Sequence, residues 1–437
     1  MTRRERIIKK LVAWAVGMLY HRVEVRQPSG MTADGAQLAN ASHFGGFADP
    51  LLLIRAMDRV PRFIARDVIW KYPGARGILN WAGAIPVHKA DDAGASSNDQ
   101  MFRSTYDALA ERDLITIFPE GITVDDPSIA RIKTGSARIA LGARASGVEG
   151  IELLSAGIHY ENKAALRSDV FIDIGHPVDL DEWVDENVPD GEPQDASNRD
   201  AVVALTAEME RRLRLAAPDF DDWRTAFSLS GAADVALRPA DGSDRDVGHG
   251  DRERLAGLID QAPEDRKQDV VDAMDRYQTE LDALGYDDAT FVTSLGSRRA
   301  FFWNILKDLV LGLLLAPFAV VGAVVNVVPM LVVWLIGRLK VADAMMATLK
   351  PGGAIVAFSA TWGFWLWRAW SAGGIGRFAA LVVLLPFYLF ALIAMFERLL
   401  LLMRAIRLFA RSGSIPEVYE QMHADRSDLV EAVAQSI

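Results

Sequence analysis

Between Leu309 and Gly337 the chain reads LVLGLLLAPFAVVGAVVNVVPMLVVWLIG, 29 residues without a charge. As one helix this stretch would run ~43 Å, longer than the ~30 Å hydrocarbon core of a bilayer. It is too short for two full spans. Pro317, Asn326 and Pro329 offer break points, so a bent or re-entrant helical hairpin is expected. A second region holds two apolar runs, 354–367 and 378–396, separated by RAWSAGGIGR. Basic residues precede the first region (Arg298, Arg299, Lys307), lie between the two (Arg338, Lys340, Lys350) and follow the second (Arg398, Arg404, Arg407, Arg411). The positive-inside rule puts all three groups on the cytoplasmic side, which two hairpins satisfy. Trp362, Trp365, Trp367 and Trp370 read as an interfacial belt. A buried soluble core is disfavoured by the charge-free length.

The rest of the chain is of another kind. Overall 51% of its 437 residues are apolar, the net charge is −11 and there is no Cys. The charge argues against nucleic-acid partners. The lack of Cys excludes disulfides, thiolate zinc sites and an acyl-Cys intermediate. The N-terminus, MTRRERIIKKLVAWAVGMLYHRVEV, has an apolar run too short to span a bilayer. Residues 1–30 are expected to form a basic amphipathic helix on an anionic membrane surface and a first strand. An ordinary core helix is the alternative. Arg55, Arg59, Arg62, Arg66, Lys71 and Arg76, interleaved with Ile64, Ile69 and Trp70, suit either a membrane-facing surface or a solvated face.

Between residues 35 and 180 short apolar strands (GAQLANAS, RFIARDVI, WAGAIPVHK, LITIFPEG, IELLSAGIHY, DVFIDIGHPVDL) alternate with helical stretches such as 98–112 and 136–146. That alternation predicts an α/β domain, its strands covered on both faces. Residues 186–200 and 238–250 read as loops, and 200–216 and 251–285 as charged helices. The expected organisation is a folded domain over 31–225, a helical linker over 226–300, membrane-embedded hairpins over 301–410 and a polar tail over 411–437.

Within the α/β domain, ASHFGGFADP places His43 and Asp49 around two glycines. On a helix these two would face different sides, so only a bent loop brings ring and carboxylate together. An Asp on one ring nitrogen leaves the other free to act as a base. His176–Asp181 and His423–Asp428 have similar spacing, so context decides. LITIFPEG ends a strand at Pro119, Glu120 and Gly121, where α/β sheets build sites. GAIPVHK ends another in a cation, Lys89. IKTGSARIAL sets Lys133 before a helix N-terminus, suited to phosphate. Taken singly, the Glu-Gly turn reads as a turn and the lysines as surface charges.

In this order, the His–Gly/Gly–Asp–Pro block, GAIPV, FPEG, KTGSARIAL and GIHYENKAALRSDVFIDIGHPV resemble the phospholipid/glycerol acyltransferase family over roughly residues 1–225. The later helices resemble its subgroup that carries C-terminal membrane segments. The resemblance implies an α/β fold, a glycerolipid acyltransferase-like mixed sheet flanked by helices, followed by a helical linker and α-helical membrane segments. It implies transfer of an acyl group from a thioester, acyl-CoA or acyl carrier protein, to a hydroxyl of 1-acyl-sn-glycerol-3-phosphate. Glycerol 3-phosphate or another lysophospholipid is the alternative acceptor. His43 would be the general base and Asp49 its orienter. Pro119, Glu120, Gly121 and Lys133 would line the acceptor site, with Lys89, where the family usually has Arg, facing the phosphate. Neither metal nor cofactor is implied, and the partners are the two substrates and membrane lipids. The expected location is the inner cell membrane, with the catalytic domain cytoplasmic. Two other classes remain: a catalytically silent lipid-binding protein, and a transporter, for which Asn326 is the one polar candidate within the spans.

Overall fold

The computed structural model describes residues 2–28, 34–71, 74–88, 96–123, 125–239, 247–295, 298–411 and 416–437. The chain divides into two compact units, Met1–Asp221 with Val341–Pro351, and Asp222–Lys340 with Gly352–Ile437.

The first unit opens with helix α1 (Arg3–Leu19), started by a capping box between Thr2 and Glu5. Such a box satisfies two N–H groups that have no partner within the helix. Strands β1 (Val23–Arg26) and β2 (Ala36–Ala41) follow, then α2 (Ala48–Ala56) and β3 (Arg62–Arg66). Next come α3 (Ala75–Ala82), β4 (Ile85–Val87), α4 (Ser96–Ala110), β5 (Leu114–Ile117) and α5 (Gly135–Ala145). The unit continues through β6 (Ile151–Tyr160), β7 (Val170–Ile174), β8 (Val178–Asp179), α6 (Leu180–Asn187) and α7 (Arg199–Ala216). The strands form one mixed sheet, ordered β1-β7-β6-β2-β5-β3-β4, with β8 beside β6. β6 is antiparallel to β7 and β8; the other pairs are parallel. Central β2 is buried along its whole length. Its Leu38 joins Ile115 of β5 and Ile139 and Leu141 of α5 in the main apolar core. Burying each such side chain contributes about 1.5–3 kcal/mol.

The basic residues after Arg55 do not share a face. They are spread over α2, the bend that follows it, β3, a 3₁₀ turn (Asp67–Lys71) and α3. Arg59 donates to Gly35 O, Gln37 Oε1 and Arg112 O, and Arg62 pairs with Asp113 at 2.9 Å. Two of the six therefore brace the sheet rather than meet a surface, because backbone carbonyls and acidic partners lie within their reach.

The second unit holds α8 (Trp223–Leu237), α9 (His249–Asp260), α10 (Glu264–Leu284), α11 (Asp288–Leu295), α12 (Arg298–Val325), α13 (Val327–Ile336), most of α14 (Asp343–Arg411), and α15 (Pro416–Ser436). The residues read as a polar tail form α15, whose Met422, Leu429 and Val433 are buried. Asp288 binds the Tyr277 hydroxyl and Arg426 Nε, both at 2.8 Å, and pairs with Arg238 at 3.1 Å.

Ile305–Val325 and Asp343–Leu400 are long and apolar enough to cross a membrane by length and composition. Of the three expected break points, only Asn326 interrupts the helix. Pro317 lies inside α12. Pro329 sits in the first turn of α13, where a missing N–H costs nothing. The fully buried Asn326 amide donates to Gly322 O and accepts from Trp362 Nε1 at 2.8 Å, while Trp365 Nε1 donates to Val325 O. Trp362 and Trp365 thus stitch the helix break instead of joining a belt; Trp367 and Trp370 are exposed. α14 carries both later apolar runs, with non-helical backbone only at Gly374.

Candidate active site

β2 ends at Ala41, and the chain turns through residues 42–47 before α2 begins. The turn brings His43 and Asp49 together as the spacing requires: His43 Nδ1 lies 2.8 Å from Asp49 Oδ2. Asp49 sits in the first turn of α2, where a carboxylate is favoured by the helix dipole, and is fully buried. It collects two further donors, the Gly45 N–H and the Tyr160 hydroxyl, the latter at 2.5 Å. Three donors converging on one buried carboxylate hold it in a single orientation. As the acceptor of the His43 contact, it places the ring's proton on Nδ1 and leaves Nε2 with its lone pair. The imidazole stacks on Phe118, ring centroids 4.2 Å apart, yet its side chain keeps 21% of its surface open.

Both glycines of the turn have a physical reason. A side chain at Gly45 would collide with the Tyr160 hydroxyl on its way to Asp49. Gly46 has φ +58°, and a side chain there would meet Thr348. Neither Tyr160 nor Thr348 stood out in the sequence. Both lie far from the His43 turn along the chain, and only the sheet register carries Tyr160, at the end of β6, to the end of β2. Tyr160 also hydrogen-bonds Tyr20, the residue that ends α1. Burial and then the Asp49 charge push the Tyr160 hydroxyl well above the usual phenol range, so it remains a donor.

Glu120 differs from its expected place. Its carboxylate is buried and both oxygens are taken, Oε1 by the His43 N–H and Oε2 by the Ala130 N–H, each at 2.9 Å. Burial raises its pKa, while those backbone donors pull it down. In this structure Glu120 holds the backbone of the His43 turn instead of presenting an oxygen to solvent. Pro119 O accepts the Lys133 N–H at 2.9 Å, and the Lys133 ammonium lies over Gly121, whose φ is +68°. His43, Asp49, Pro119, Glu120, Gly121 and Lys133 are therefore linked by direct contacts. Lys89 lies outside the described residues.

Among the described residues, three other imidazoles also touch carboxylates: His21–Asp169, His88–Asp67 and His249–Glu253. The two sequence pairs with similar spacing have other partners. Asp181 binds Arg144 at 2.5 Å, and His423 packs beside Phe291. What sets His43 apart is a wholly buried, triply bonded acid behind a partly open ring.

Comparison with known proteins finds acyltransferases. A family model described as acyltransferase matches residues 22–157. Glycerol-3-phosphate O-acyltransferase 2 of Saccharomyces cerevisiae is 32% identical over 128 residues, which is 28% of this chain and only 16% of the yeast protein. The 1-acyl-sn-glycerophosphate (LPA) acyltransferase PlsC of Thermotoga maritima matches 48% of this chain and 77% of its own at 21% identity, with a TM-score of 0.35. The family-model match makes residues 22–157 acyltransferase-like, and the yeast relative, of which the chain spans about a sixth, likens that segment to a glycerol-3-phosphate acyltransferase.

Proposed function

We propose that this protein is a membrane-bound O-acyltransferase that moves a fatty acyl group from an acyl thioester to the free hydroxyl of 1-acyl-sn-glycerol-3-phosphate. The observation that carries the reading is the His43 Nδ1–Asp49 contact with Nε2 left available. His43 Nε2 takes the proton of the acceptor hydroxyl as its oxygen attacks the thioester carbonyl. The tetrahedral adduct collapses, the C–S bond breaks, and the thiolate leaves with the proton from His43. No acyl-enzyme is needed. Lys133 at the start of α5 is the proposed phosphate contact. Exposed Phe47 and Ile122 next to the site residues suit an acyl chain. Ile7, Leu11 and Trp14 share one exposed stripe of α1, among Arg3, Arg4 and Lys10, and suit a lipid surface facing the cytoplasm. The apolar α12 and α14 are proposed as the membrane segments.

Glycerol 3-phosphate is the second reading of the acceptor, favoured by the name of the yeast relative. Purified protein in lipid nanodiscs, offered labelled acyl-CoA or acyl carrier protein with each acceptor, tests both. The expected result is transfer to lysophosphatidate that falls about 10³-fold in His43→Ala. Preference for glycerol 3-phosphate selects the second reading. Lipid binding without transfer in either protein overturns both and leaves a silent lipid-binding protein.

A further inference from the structure

Helix α14 begins among the loops that carry the candidate site. In its first turn the Ala344 N–H donates to Asp125 Oδ1 at 2.7 Å, and Asp125 is also paired with Lys163 at 2.7 Å. One turn later Thr348 Oγ1 accepts the Phe47 N–H at 3.3 Å. Lys350 Nζ donates to Ala164 O at 2.6 Å. These anchors fall on three different loops. Phe47 belongs to the turn after β2 that bears His43. Asp125 follows β5 and Glu120. Ala164 follows β6 and Tyr160, which holds Asp49. β2, β5 and β6 run parallel, so all three loops leave the same edge of the sheet.

The contacts also complete two helix starts. α2 has no side-chain cap of its own: Phe47 occupies its N-cap and makes no such bond. The first N–H groups of a helix need outside acceptors, and Thr348 supplies one for Phe47. Asp125 does the same for α14. Gly46, pressed against Thr348 with a positive φ, shows how closely the two segments approach.

We propose that the start of α14 braces the active site through three anchors, Ala344, Thr348 and Lys350, which tie its three loops into one frame, with Thr348 as a positioning residue for the His43 turn. The kinetic consequence rests on the acyl-transfer reading above; the frame itself does not. A tether that merely fixes the helix to the domain would leave the His43 turn unmoved by changes at Thr348.

The test uses the full chain in nanodiscs, with Thr348→Val, Thr348→Ser, Thr348→Val combined with Asp125→Ala, and Met345→Ala at an exposed neighbour as control. Acyl-transfer kcat and KM are measured beside hydrogen exchange of the 44–49 amides. Thr348→Val is expected to lower kcat about fivefold, the effect of losing a helix cap. KM should hold, and exchange at 44–49 should quicken. Thr348→Ser and Met345→Ala should match the parent, and the double variant should exceed tenfold. Unchanged kcat and exchange in both Thr348→Val variants would overturn the brace. If the parent transfers no acyl group to any acceptor, the proposed reaction has failed, and exchange alone decides the brace.

Discussion

The two units treat buried polar groups in opposite ways. In the second, Asp288 is closed off by Tyr277, Arg238 and Arg426, and Asn326 by Gly322 and Trp362. In each cluster the buried oxygen acceptor meets other protein groups, and both clusters lie away from solvent. In the first, Asp49 is equally buried and equally well bonded, but one of its donors is an imidazole whose far side is open. The contrast teaches where reactivity is found. A satisfied buried network only rigidifies. One that ends in a partly exposed titratable ring can pass its order on to a substrate. It also explains why Asn326 gives no support to a transporter: the residue bridges a helix break and faces no open path.

Substitutions can separate the two kinds of network. The largest expected effect is in the second unit. Arg426→Met leaves Asp288 with one cation fewer and frees two carbonyls, Val235 O and Arg238 O. Breaking a buried ion pair in this way costs about 3 kcal/mol or more. Thermal or denaturant unfolding should show that loss, with acyl transfer per folded molecule unchanged. Tyr160→Phe should give the reverse. It removes one of three donors to Asp49 and nothing from the core volume. The expected outcome is a fall of about tenfold in kcat, matching the loss of a hydrogen bond to a charged group, with KM and melting temperature close to the parent. If Tyr160→Phe unfolds the protein and leaves kcat intact, the Asp49 network is structural in the same sense as the Asp288 one.

How far the sequence disclosed these networks follows from the range of each contact. Strand and helix positions over 35–180 were readable because apolar runs and turn residues are local signals. Examples are β2, α5 and β6, which fall where GAQLANAS, 136–146 and IELLSAGIHY placed them. His43 and Asp49 were legible for a similar reason, being close in sequence and forced together by a glycine turn. Glu120 was found but its use was not, since a strand-end carboxylate looks the same whether it faces a ligand or a backbone amide. Tyr160, Tyr20, Asp125 and Thr348 were invisible because their partners are set by sheet register and by a helix some 300 residues downstream of His43. The Trp cluster misled through composition: indoles near helix ends suit a membrane interface, but Trp362 and Trp365 had a buried amide and a free carbonyl within reach.

The smallest effect sharpens the comparison through pH. Glu280 on α10 has its pKa raised from the ordinary 4.5 to about 7, by burial first and then by the Asp425 carboxyl of α15. Because the folded value lies above the unfolded one, protonation favours the folded state. The stability it adds is complete below about 4.5 and is lost as pH rises through about 7. The thermal midpoint of the second unit should therefore decline between pH 5 and 8, and Glu280→Gln, which cannot ionise, should flatten that slope. The shift should be no more than a few degrees, since solvent screens a pair so near the surface. Acyl transfer should keep the same pH profile in Glu280→Gln as in the parent, because the groups that hold His43, namely Asp49, Glu120 and Tyr160, all belong to the other unit. A profile that moved with Glu280 would show that the two networks titrate together, and the division between a rigidifying cluster and a reactive one would fall.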